Sequence, residues 1–166
     1  MNLNNTIVEK DENQKSITVT REFQAPVDLV WKCYSEANLL DQWWGPAPWK
    51  AETKIMKFEE GGHWLYAMVS PEGEKHWGRM NYIIIKTQEF IGLEDAFCDE
   101  NGNINIDLPV SSGSMVFTKT LGGTLVEFKM TYTSVEQLKA IIEMGFEQGI
   151  TICLEQLAQL IKSNQK

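Results

Sequence analysis

The sequence predicts an α+β fold: a curved antiparallel sheet wrapped around one long C-terminal helix, with two short helices after the first strand. Three observations carry this. For about 85 residues after Pro46 the chain reads almost continuously as strand and turn. From Ser134 to about Ser163 apolar residues recur at helical spacing. An antiparallel sheet with one apolar face must be covered, and that terminal helix is the only element long enough to cover it.

Ser16–Phe23, "SITVTREF", is β-branched and alternating, and reads as the first strand. Pro26 and Asp28 then suit a helix start. Val27, Val30, Trp31 and Tyr34 follow on one helical face. Ser35 can cap a second short helix in which Leu39, Leu40 and Trp43 cluster, and Gly45 and Pro46 stop it. About six strands in a meander come next. They are Lys50–Phe58, "HWLYAMV" after Gly61-Gly62, His76–Lys86, Glu89–Phe97, 114–120 and 124–133. "SPEG" at 70–73 fits a type I turn, and Gly122-Gly123 is a hairpin signal. The stretch 98–113 is long for a connection. Ile104, Ile106 and Leu108 alternate in it, so it reads either as a flap folding onto something apolar or as a surface loop.

"SVEQ" at 134–137 matches a capping box and opens a helix of roughly 30 residues, about 45 Å long. Leu138, Ile142, Gly145, Gly149, Cys153 and Leu160 share its predicted buried face. The expected organisation is one domain over 15–163 with a polar N-terminal extension over 1–14, in which "TIVEK" has the composition to pair with a strand.

The totals exclude several roles. The formal charge is −8, and only Arg21 and Arg79 are arginine. A nucleic-acid binder needs a basic face, and an anionic membrane surface repels such a chain. No apolar run approaches the ~18 residues of a membrane span, and no signal-peptide layout opens the sequence, so the expected location is cytoplasmic. Cys33, Cys98 and Cys153 are far apart and expected as reduced, buried thiols.

Five motifs carry a resemblance: "F-x-AP-x-x-x-VW" at 23–31, "WWGP" at 43–46, "GG-x-W" at 61–64, "P-x-G" at 71–73 and "G-x-x-x-G" at 145–149. Together they resemble the SRPBCC, or START-like, superfamily, and within it domains related to the C-terminal domain of the activator of heat-shock-protein-90 ATPase. The resemblance spans about residues 15–163. It implies a helix-grip fold of about seven strands with a cavity between sheet and helix, and a link to the stress response. Many relatives carry an acidic residue and then an arginine before "GG"; here Lys57 and Glu59 exchange those signs. The eukaryotic activators also carry a separate N-terminal domain, for which a chain of 166 residues has no room.

The stretch "DQWWGPAPW", 41–49, crowds three tryptophans into a segment that cannot run through as a regular helix or a central strand. Trp43 or Trp44 is expected to pack under the short helices; the alternative is a tryptophan lining the cavity mouth. Candidate lining residues are Trp44, Trp64, Tyr66 and Met68, then Met115, Phe117, Phe128 and Met130 from later strands. Gly145, Phe146, Gly149 and Gln156 are the candidates from the helix, and Arg79 is a polar contact. Two helix-interior glycines would sacrifice about 2 kcal/mol. Either close helix–strand contact or volume left for a ligand would account for that. Gln156 either meets a ligand or satisfies a backbone carbonyl.

His63 and His76 are the only histidines, and no metal-ligand spacing is visible. Neither a hydrolase elbow nor a nucleotide loop appears. The expectation is a non-enzymatic cavity protein for a small apolar molecule, with no cofactor, acting as monomer or homodimer. The rivals are a chaperone-interaction module and a small cyclase- or hydrolase-type enzyme. General acid–base work would then fall to His76, Arg79, Glu94 or Glu127.

Overall fold

The computed structural model describes residues 5–164. Twelve elements run in the order β1 Ile7–Asp11, β2 Ser16–Phe23, α1 Val27–Ser35, α2 Ala37–Trp43, β3 Lys50–Met56, β4 His63–Val69, β5 Lys75–Lys86, β6 Phe90–Cys98, β7 Val110–Lys119, β8 Thr124–Tyr132, α3 Val135–Glu143 and α4 Phe146–Asn164. The strands form one antiparallel sheet in the order β1-β2-β8-β7-β6-β5-β4-β3. This is the helix-grip fold. Register shifts between Thr53 and Ile55 and between Tyr82 and Ile84 mark bulges, which help to bend a sheet.

The polar extension supplies the eighth strand: Ile7–Asp11 pairs with Ser16–Thr20, and Lys10 reaches Glu147 on α4 at 2.7 Å. Val27, Val30, Trp31 and Tyr34 are buried under α1. Ser35 does not cap α2. It closes α1, its hydroxyl donating to the Trp31 carbonyl at 2.8 Å, and extended Glu36 takes the cap position.

The terminal segment is two helices rather than one. Ser134 caps α3 by accepting the Gln137 N–H at 3.1 Å. The helix then ends at Met144, and Gly145 turns the chain with φ +87°. A left-handed residue after a helix is where glycine fits best, so Gly145 is a terminator and carries no helix-interior cost. The buried stripe is also rotated from the expected one: Leu138 and Ile141 on α3, then Ile150, Cys153, Leu154, Leu157 and Ile161 on α4.

The stretch 98–113 is shorter as a connection than expected because β7 begins at Val110. Asp99 orders what remains, accepting the N–H groups of Asn101 and Asn103 at 2.9 Å each. Ile104 and Ile106 are 43% and 81% exposed, so the segment is not a flap closed on an apolar face.

Candidate functional site

Register assigns the sheet's concave face. Trp64, Tyr66 and Met68 of β4 stand opposite Met80, Gly78 and His76 of β5. Met80 in turn stands opposite Asp95 of β6, Asp95 opposite Ser111 of β7, and Ser111 opposite Tyr132 of β8. Helix α4 and the segment after α2 cover this face. Between them lies a cavity of about 220 Å³. The sheet side is formed by Tyr66, Gly78, Asp95, Met130 and Tyr132; Trp44, Pro46, Ile141, Gly149, Ile150 and Cys153 close the other side. Met68, His76, Phe97 and Phe146 also border it and retain solvent exposure, which marks the open side.

The aromatic wall is a stack. Trp43 meets Trp44 at 5.3 Å, Trp44 meets Trp64 at 5.3 Å, both edge-on, and Trp64 stacks on Tyr66 at 4.2 Å. Two backbone groups fix its near end: the Trp43 indole N–H donates to the Cys33 carbonyl at 2.8 Å, and the Cys153 thiol donates to the Trp44 carbonyl at 2.8 Å. Gln156 holds the loop itself. Its Nε2 donates to the carbonyls of Trp43 and Gly45 at 3.0 and 2.8 Å, and its Oε1 accepts the Ala47 N–H at 3.0 Å. The crowded stretch is therefore a clamped wall: one tryptophan in the core, one on the cavity, one outside against His76 at 5.3 Å.

Asp95 is the polar centre of the site. Part of its side chain stays accessible, but the space it faces is the cavity, whose walls are mostly apolar. Loss of hydration pushes the carboxyl up to about 7, opposed by a hydrogen bond from the Ala96 N–H. Burial also raises the hydroxyls of Tyr66, Tyr82 and Tyr132 above the ordinary phenol range, with the Asp95 charge adding to each. Burial pushes the Cys153 thiol up to about 12. Among the described residues no three His, Cys, Asp or Glu side chains gather as a metal site requires.

The family model described as Activator of Hsp90 ATPase homolog 1-like protein matches residues 24–162. The chain belongs to this family. A crystal structure of a Mycobacterium smegmatis protein is 33% identical, with a TM-score of 0.87 over 94% of this chain and 96% of that one. A solution structure from Arthrobacter aurescens is 29% identical, with a TM-score of 0.89 over 95% and 91% of the two chains. One from Staphylococcus epidermidis is 25% identical, with a TM-score of 0.82 over 95% and 94%. Among curated proteins none matches the sequence.

In this family member the structure brings Trp44, Tyr66, Met68, Met130, Phe146 and Gly149 together on the cavity wall. The other candidates lie elsewhere. Trp64 is 1% exposed behind Tyr66 and Trp44, its indole N–H donating to Thr53 at 2.9 Å. Met115, Phe117 and Phe128 share the concave face but lie further along it; the Phe117 ring packs against Trp31 and Tyr34 of α1. Gly145 is outside the cavity lining, at the turn between α3 and α4. Gln156 is consumed by the loop it clamps.

Arg79 points the other way, opposite Leu65 on the convex face, donating to Asn81 at 2.8 Å and to the Gly102 carbonyl at 3.2 Å. His63 shares that face, where partial burial and the charges of Arg79 and Lys57 hold its imidazole below the usual range. His76 is bound to Glu74 at 3.2 Å. Asp95, absent from the expected set, had a legible signal: strand alternation puts it on the face of Leu93 and Phe97.

Proposed function

We propose that the protein binds a small, largely apolar molecule in the cavity between sheet and α4, without transforming it. The observation that carries this reading is the 220 Å³ space itself, walled by the Trp44–Tyr66 pair, Met130, Ile150 and Phe146. A dry apolar cavity of about 150 Å³ already takes up benzene; this one has room for a molecule of one or two rings. Affinity would come from apolar burial at about 25 cal/mol per Å², with Asp95, Ser111 and Tyr132 fixing orientation.

The test is native mass spectrometry of the purified protein for retained small molecules, with titration of prodan, a neutral two-ring fluorescent lipophile of the size the cavity admits. A ligand recovered with unchanged mass after incubation supports binding without turnover. Gly149→Leu is the matching control. A Cβ there meets only the Pro46 ring, at 3.8 Å, so a larger side chain extends into the cavity. Lost uptake in a folded variant is expected. Uptake undiminished in Gly149→Leu, or absent from the wild type, would reject the reading. The family's description favours a second reading, contact with a heat-shock-protein-90 type chaperone; faster ATP turnover by such a chaperone on addition of this protein would carry it.

A further inference from the structure

The cavity's polar equipment is lopsided. Asp95, Ser111 and Tyr132 are direct neighbours across β6, β7 and β8, so a carboxyl and two hydroxyls form one row on the concave face. Rings from Trp44, Tyr66, Phe97 and Phe146 surround the space in front of it. The arginines that could balance the carboxylate are engaged elsewhere. Arg21 pairs with Glu155 at 3.0 Å, and Arg79 donates to Asn81 and Gly102 on the opposite face. His76, at the open side of the cavity, turns to Glu74 at 3.2 Å. The other titratable groups that line the cavity or feel the Asp95 charge are Tyr66 on β4, Tyr82 on β5, Cys98 on the far face of β6, Tyr132 on β8 and Cys153 on α4. Each is neutral near pH 7, and α3 contributes only Ile141.

An ionised carboxylate in such a place is costly unless a cation completes it. Aromatic faces attract organic cations, and a net charge of −8 draws them toward the protein. We propose that the ligand is a small organic amine: an apolar body of one or two rings carrying one ammonium, which pairs with Asp95 beside the hydroxyls of Ser111 and Tyr132. This rests on the cavity-binding reading and assigns its ligand class.

Pairing with the ammonium requires the Asp95 carboxylate, so binding near pH 7 releases a proton from the fraction of protein that held one. Calorimetric titration with tryptamine and with its neutral isostere tryptophol separates the possibilities. The wild type at pH 7.5 is expected to bind tryptamine at least about tenfold more tightly than tryptophol, and Asp95→Asn to abolish that preference. Tryptamine affinity of the wild type should also rise between pH 6 and 8, with proton release visible as a buffer-dependent heat. Those two wild-type readouts stand even if Asp95→Asn fails to fold. Tryptophol binding as tightly as tryptamine at every pH would overturn the amine assignment while leaving the cavity reading intact. Uptake of neither compound, nor of prodan, would overturn both.

Discussion

The ring of Tyr66 lies against the backbone of Gly78, its register partner on the next strand: a Cβ on Gly78 would stand 2.7 Å from both Cζ and Oη. With Trp64 stacked on the same ring at 4.2 Å, the phenol is confined between an indole and a bare stretch of β5. Gly78→Ala therefore forces the ring away from β5, toward the cavity. Overpacking of this kind costs about 1–3 kcal/mol. Urea unfolding should show that loss, and prodan uptake should weaken about tenfold. A variant of wild-type stability and uptake would mean that the ring has room elsewhere.

Gly145 and Gly149 are four residues apart and should respond to alanine with opposite signs. Gly145 holds φ +87°, where a Cβ is strained, so Gly145→Ala should destabilise by about 1 kcal/mol. Gly149 is inside α4, and its added Cβ meets Pro46 at an ordinary 3.8 Å. Gly149→Ala should gain about 0.5–1 kcal/mol from helix propensity. Denaturant midpoints of the two single variants decide it; two changes of the same sign would contradict the break at 144–145.

Much of the fold was legible because strand alternation and helical spacing are local. The face of α1 follows from Val27, Val30, Trp31 and Tyr34, and the Ser134 cap from its Gln137 partner. The helix break was hidden because Ile142, Gly145 and Gly149 continue the apolar spacing straight through it; only a backbone angle distinguishes a terminator from an interior glycine. Depth along a strand was hidden too. Met115 and Met130 point to one face, yet α1 covers the end holding Phe117 while the cavity opens beside Met130. Asp95 was readable by parity but masked by its neighbour Glu94, since two adjacent carboxylates look like a solvated pair. Gln156 had a legible position and an illegible partner, because the carbonyls it binds belong to an irregular loop more than a hundred residues away.

Gln156 clamps the tryptophan loop through three hydrogen bonds, two donated and one accepted. Gln156→Ala leaves two carbonyls and one N–H without these partners, and should cost about 2–3 kcal/mol. Gln156→Glu is the sharper variant. It keeps an acceptor for Ala47 but turns a second oxygen toward the carbonyls of Trp43 and Gly45. Its stability deficit should grow from pH 4 to pH 8 as that carboxyl ionises, whereas the alanine variant's deficit stays flat. Tryptophan emission, dominated at this locus by Trp43 and Trp44, reports the unfolding directly. Parallel pH curves for the two variants would exclude the clamp.

Asp95 and Glu155 set opposite ends of the stability profile. Arg21, bonded to Glu155 at 3.0 Å, holds that carboxyl below its ordinary 4.5. Its contribution is present above that value and lost as pH falls through the lower, folded one. Asp95 has the reverse sign. Its folded carboxyl titrates near 7 against an ordinary 3.8, so between those values the native protein holds a proton that the unfolded chain has released. Stability therefore falls as pH rises through that window, by at most about 4 kcal/mol at 1.36 kcal/mol per unit. Asp95→Asn removes the titration. The variant should be more stable than the wild type at pH 8, by about 2 kcal/mol once water in the open cavity is allowed for, and the gap should close toward pH 4. Urea midpoints at pH 4, 6 and 8 measure it. A gap independent of pH would mean that the carboxyl stays hydrated and that the cavity is not the apolar enclosure its walls describe.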